Sequence, residues 1–263
     1  MVRHRLQASR LGLSCGMICI SRLSSCLHCV SDFLVSPTDR AEYSPRGVPS
    51  EYHSVVFSRA FARESTPYQG WPDDEKDKLW RDLYWDGIAI HINEESQERL
   101  INKSQRVPIE GYEQDFLTGL GVFHQIHCLN MIRMQLYPGR YNVSLRNANG
   151  TINYIQWLHI DHCVEALRQV LVCQADTTAV PFVWSDASKL MAAGMGTTHM
   201  CRDFEKVREW AFARSLTWDN ERAHVESGEI VDYSDWPLDP ADTYFLNPPQ
   251  GWEEAEESRL QDL

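Results

Sequence analysis

Acidic residues are missing from the first 31 positions, which hold Arg3, Arg5, Arg10 and Arg22. Basic ones are almost missing from the last 45, where thirteen Asp or Glu face only Arg222 and Arg259. The formal net charge of -12 therefore resides almost wholly in the C-terminal stretch. The body has no basic stripe, which removes nucleic acid as an expected partner. No apolar run reaches the about 20 residues that a membrane-spanning helix requires. The run nearest the N-terminus, LGLSCGMICIS at 11–21, is ended by Arg22. HExxH is absent, and so is any serine or cysteine nucleophile motif, so neither a zinc protease nor an unrelated hydrolase is expected.

What is present suits one good core with tails: 263 residues, 43% hydrophobic, with nine Trp. Residues 1–37 form a basic, apolar leader, read as a signal sequence or degraded signal-anchor with Ser24 and Ser25 near a cleavage point. An acid-free, Arg- and Ser-rich start also suits a mitochondrial address. Residues 38–70, with Pro45, Pro49 and Pro67, read as an irregular linker, 71–218 as the body, and 219–263 as an acidic, poorly periodic tail. Cys15, Cys19, Cys26 and Cys29 crowd the leader, while Cys128, Cys163, Cys173 and Cys201 belong to the body and suit either two disulfides or metal ligation. Sequons at Asn102, Asn142 and Asn149 are glycosylation candidates usable only in a secretory lumen, the compartment expected here.

The body is organised around a repeated pattern, HQIHC at 124–128 and HIDHC at 159–163. On a helix turning about 100° per residue, the second histidine lies about 60° from the first and the cysteine about 40° to its other side. Each motif thus gathers two imidazoles and a thiol on one face. The flanking sequence predicts buried helices over 122–137 and 151–174, the second capped by Thr151 or Asn153, packed as antiparallel neighbours. Other expected elements are a helix over 73–87, a strand at 88–92, a helix over 94–101 capped by Asn93, a turn or edge strand between Gly111 and Gly121, and a helix over 198–215 starting at Thr198. His91, in the short strand, reads as a surface or half-buried residue. The predicted fold is mainly α (α+β): a small helical bundle built on the two motif helices, with a short β element and irregular tails.

Four imidazoles facing one space suit copper, iron or zinc. His124, His127, His159 and His162 are the expected metal ligands, with His199 as a further candidate beside Cys201. Asp176 and Asp203 are candidates to orient a ligand histidine or to sit at helix ends. The cysteines are either soft ligands or disulfide partners holding the helices in register.

Three segments together resemble the fungal UstYa family: FHQIHCLNMIR at 123–133, HIDHCVEALRQVLVCQADTT at 159–178 and THMCRDFEKVREW at 198–210, preceded by WRDLYWDGIAIHINEE at 80–95. The resemblance covers about 70–215 and makes the 71–218 body a catalytic domain. It implies an oxidase of a secondary-metabolite (mycotoxin) pathway. The implied reaction is oxidative cyclisation or related oxidation of a peptide-derived substrate, with copper as the metal and O2 as co-substrate. His124, His127, Cys128, His159, His162 and Cys163 become the implied catalytic residues. The family also implies a homologous oxidase as possible partner and a single membrane anchor with a lumenal body; in this sequence Arg22 and Asp32 interrupt 11–35. The competing expectation is a non-catalytic, metal- or disulfide-held partner of such an oxidase.

Overall fold

The computed structural model describes residues 44–60, 64–186, 188–194, 196–217 and 222–237. The leader with its four cysteines, and the tail from 238 onward, lie outside the described residues. Among the described residues are six α-helices and eight strands. The strands form four separate two-stranded antiparallel sheets. This corrects the expectation of a small helical bundle. Only two helices run side by side at length, and most remaining elements are short strands, paired in two local hairpins and in two ladders between segments further apart in sequence.

Helix α1, Asp74–Asp82, starts where Asp73 accepts the backbone N–H of Lys76 at 2.8 Å. Acids in its first turn favour the positive helix end. A 3-10 turn, Trp85–Gly87, leads into β2, Ile90–Ile92, which pairs with β3, Phe116–Thr118. Between them Asn93 caps α2, Glu94–Arg99. Helices α3, Gly121–Gln135, and α5, Tyr154–Gln174, carry the two motifs. The short α4, Pro138–Tyr141, follows α3, and Asn153 caps α5.

Two further expectations change. The stretch read as a linker contributes β1, Tyr52–Val56, which pairs residue for residue with β6, Thr198–Arg202. The last helix therefore does not begin at Thr198. It is α6, Phe204–Phe212, and Asp203 caps it by accepting from Lys206 N at 3.2 Å. An aspartate at 203 supplies a cap, and the preceding THMCR segment finds a strand partner no local pattern reveals. The start of the tail likewise forms a hairpin, β7, Ala223–Glu226, with β8, Glu229–Asp232. Ser227 and Gly228 turn it with φ of 53° and 89°, the left-handed pair a two-residue hairpin loop requires. A second hairpin joins β4, Phe182–Ser185, to β5, Leu190–Ala193.

The core sits where α3, α6, β2 and the 3-10 turn meet: Tyr84, Ile90, Phe123, Val207 and Ala211 are buried together, with Phe204, Trp210 and Phe212 around them. Gly87 allows this approach, because a Cβ there would stand 2.7 Å from the Phe123 ring. Asp77 ties α1 to α3 and α4: Arg133 donates to it at 2.9 Å, Arg140 at 2.7 Å, and the Tyr141 hydroxyl donates as well. Burial pushes the Asp77 carboxyl up, but these donors outweigh it and hold the group below the usual carboxylate range. Among the described residues no helix is long and apolar enough to cross a membrane.

Candidate metal centre

Helices α3 and α5 lie antiparallel, so three residues forward on one match three residues backward on the other. His124 then faces His162, with ring centroids 5.5 Å apart, and His127 faces His159 at 5.9 Å. The two pairs adjoin, since the His124 and His127 rings are 6.3 Å apart. The repeat thus brings four imidazoles into one seam. Cys128 and Cys163, both fully buried, lie beneath it.

The buried-helix expectation needs correction here. His124, His159 and His162 are exposed and His127 is half-buried. The seam is an open surface feature with a buried floor.

Within it, one atom each of His124, Cys128 and His162 lie within 4.8 Å of one another. His124 Nε2 is 3.8 Å from Cys128 Sγ. An ion bound by nitrogen at about 2.0 Å and sulfur at about 2.3 Å holds such atoms about 3.5–3.8 Å apart, so the His124–Cys128 spacing already fits one ion, which His162 would complete by drawing closer. His127 Nδ1 is buried and has no hydrogen-bond partner, an orphaned polar atom in the same seam. The residues therefore fit a metal, and the set of two nitrogens and one sulfur suits copper or zinc better than a hard oxygen-seeking ion.

Electrostatics supports the same state. Burial, and then the neighbouring His162 and His159, push the His124 imidazole below its ordinary value. Burial, then His159 and His124, do the same to His127. Both shifts favour the neutral ring, the form that offers a lone pair. Burial and a hydrogen bond to Cys128 push the Cys163 thiol well up, so Cys163 stays protonated and donates to the Cys128 sulfur. All four body cysteines are free thiols in this structure, with Cys173 exposed and Cys201 half-buried. Cys128 and Cys163 meet, and each of the other two lies elsewhere.

His199 does not join the seam. Its Nδ1 is 3.1 Å from Asp176, its Nε2 is 2.8 Å from the Thr197 hydroxyl, and Phe57 stacks on it at 3.8 Å. Asp176 follows the end of α5, and at about 1.5 Å per residue the helix carries it about 20 Å from His162. Asp176 thus does orient a histidine, but not a seam histidine, while Asp203 is a helix cap. Asn102, Asn142 and Asn149 are all exposed.

The motif reading overlooked a support. Tyr84 is buried and its ring meets His127 edge-on at 5.6 Å. Asn130 donates to its hydroxyl at 3.1 Å, and Arg133 donates in turn to Asn130 at 2.9 Å. The available signal was a polar Asn130 and Arg133 on an otherwise apolar helix just after the motif.

Residues 1–214 match the family described as mycotoxin biosynthesis protein UstYa. The chain belongs to the UstYa family. Its similarity to the UstYa family oxidase phomYc of Diaporthe leptostromiformis is 31% identity over 166 residues, 60% of this chain and 63% of that protein. To phomYb of the same fungus it is 28% over 214 residues, 80% and 76%. To the transacylase cctO of Talaromyces islandicus it is 29% over 187 residues, 66% and 60%. The chain spans about three fifths of the length of phomYc and of its sister phomYc', 63% and 58%. No solved structure matches this UstYa family member.

Proposed function

We propose that this UstYa family member is a metal-dependent oxidase of a fungal secondary-metabolite pathway, acting on a peptide-derived substrate at the His124–His162 seam. The observation that carries this reading is the clustering of His124, Cys128 and His162 beside the orphaned His127 Nδ1. Oxidase names among the relatives support the reaction class. A copper ion held there would supply one-electron oxidation, with O2 as the final acceptor. His124 and His162 would hold it through ring nitrogens, and Cys128 would offer the soft third ligand. Cys163, kept protonated, fixes the Cys128 sulfur as the acceptor of the thiol pair. Tyr84 packs against His127 and sets its ring angle through the Asn130–Arg133 chain. The exposed histidine faces leave an open approach for substrate, and the imidazole of His159 can accept a proton from a phenolic side chain. Oxidative ring closure is the reaction this arrangement serves, in a secretory lumen where the three exposed sequons carry glycans.

The test is metal analysis with electron paramagnetic resonance on the full chain. Wild type is expected to bind copper with nitrogen and sulfur ligation, and His124→Ala with His162→Ala to lose it, while His199→Ala keeps it. Equal copper binding in the double variant would sink the proposal.

A second reading has its own observation. Leu171, Val172, Phe182 and Trp184, at the end of α5 and on the β4–β5 hairpin, are all more than half exposed. Exposed apolar residues of this kind suit a homologous oxidase as partner, with the present chain as a non-catalytic member held by zinc. Stoichiometric zinc, no O2 consumption and a stable complex with the homologue would favour it.

A further inference from the structure

A cleft of about 290 Å³ opens where β2, α2 and the end of α6 converge. It shares no residue with the histidine seam. Its walls combine an unbalanced cation with an aromatic face. Arg214 is half-buried, and among the described residues no carboxylate pairs with it. Its guanidinium lies 4.2 Å from the centre of the Trp210 ring, and one Nη–H donates to the Trp210 carbonyl at 2.8 Å. The remaining donors of the fork are left for something else. The Arg214 backbone is fixed, because its carbonyl accepts from His91 N at 3.0 Å.

The acid that could neutralise it is already engaged. Asp115 also lines the cleft, but its Oδ2 is 2.6 Å from His91 Nδ1, and the His91 ring is itself held against Tyr112 at 4.8 Å. Arg46 adds a second cation on the outer side. It pairs there with Glu95, and its backbone N–H donates to the buried Ser96 hydroxyl at 3.2 Å. A guanidinium partly withdrawn from water beside an indole costs desolvation that an oxyanion with an apolar neighbour offsets, through a forked pair of hydrogen bonds and contact with the ring.

We propose that this cleft binds a carboxylate carried next to an aromatic or apolar group, with Arg214 as the bidentate anchor, Arg46 as a rim contact and Trp210 as the wall. Such a carboxylate is supplied either by the C-terminal residue of a peptide or by a small free acid. His91 acts as a positioning residue that keeps Asp115 turned away from the anion.

The test is calorimetric or ligand-observed NMR titration of the full chain with N-acetyl-phenylalanine, its C-terminal amide, phenylacetate and inorganic phosphate. N-acetyl-phenylalanine is expected to bind at least tenfold more tightly than its amide. Arg214→Gln is expected to abolish that difference and Arg46→Gln to weaken binding about two- to fivefold. Tighter binding of N-acetyl-phenylalanine than of phenylacetate assigns a peptide terminus, and equal binding assigns a small acid. The proposal fails if acid and amide bind alike in wild type, if phosphate binds more tightly than either carboxylate, or if a folded Arg214→Gln binds the acid as wild type does. Should Arg214→Gln not fold, the acid–amide comparison in wild type and the Arg46→Gln titration still decide.

Discussion

The same five-residue pattern sits on α3 and on α5, yet the two helices are anchored differently. Helix α3 has one face in the core: Phe123 and Asn130 are buried away from the seam, and Arg133 links the helix to Asp77 on α1. Helix α5 is longer, but only Cys163 along its 21 residues is buried. Val164, Leu171 and Val172 stand in the open, the last two about 70% exposed. Its contact with the rest runs mainly through the seam, so the residues proposed to hold a metal also hold the helix. The first motif is built on a finished scaffold, and the second depends on the site it helps to form.

The largest test of this asymmetry is Phe123→Ala, expected to cost about 3–5 kcal/mol in urea unfolding and to loosen both helices. Loading a metal at a hundred times its Kd is expected to add about 2.7 kcal/mol of protection. By hydrogen exchange that protection should concentrate in Tyr154–Gln174 and be smaller in Gly121–Gln135; equal protection of both would remove the distinction. Gly87→Ala places a methyl group against Phe123 and is expected to cost about 1–3 kcal/mol of thermal stability, with metal affinity less affected.

A smaller effect comes from Asp77→Asn, expected to lose about 1–2 kcal/mol at pH 7. The Asp77 carboxyl is depressed in the folded state, so its contribution is complete above the unfolded value of about 3.9 and is lost as pH falls through the folded one. The gap between wild type and variant should therefore close below about pH 4; a gap that widened in acid would contradict the assignment. At the bottom of the scale, Leu171→Ser on the open face of α5 is expected to change stability by no more than about 0.5 kcal/mol. A much larger loss would mean that this face is covered in solution, as the partner reading requires.

Much of the seam was legible because a helix converts spacing into direction. His-x-x-His-Cys places its side chains on one face whatever surrounds it, and two copies joined by a moderate loop can meet antiparallel. The cap at Asn93 was legible for the same local reason, and Asn153 was one of two candidates beside Thr151. The pairing of β1 with β6 was not, because a strand's partner is chosen by tertiary contact and the two segments are separated by the whole body. That pairing also moved Thr198–Arg202 from helix to strand and took His199 to Asp176. Exposure was misjudged on α5, where apolar residues suggested burial that the chain's other elements do not supply. Tyr84 escaped notice because its role depends on Asn130, 46 residues away.

The β1–β6 ladder also sets an order of events during synthesis. Tyr52 pairs with Arg202, so the first strand leaves the ribosome about 150 residues before its partner exists. At about 5–20 residues per second the wait is on the order of 10–30 s. Through that interval the β1 edge is open while α1, α3 and α5 can already form. The two ends of the body close only after the seam between the motif helices has had time to assemble.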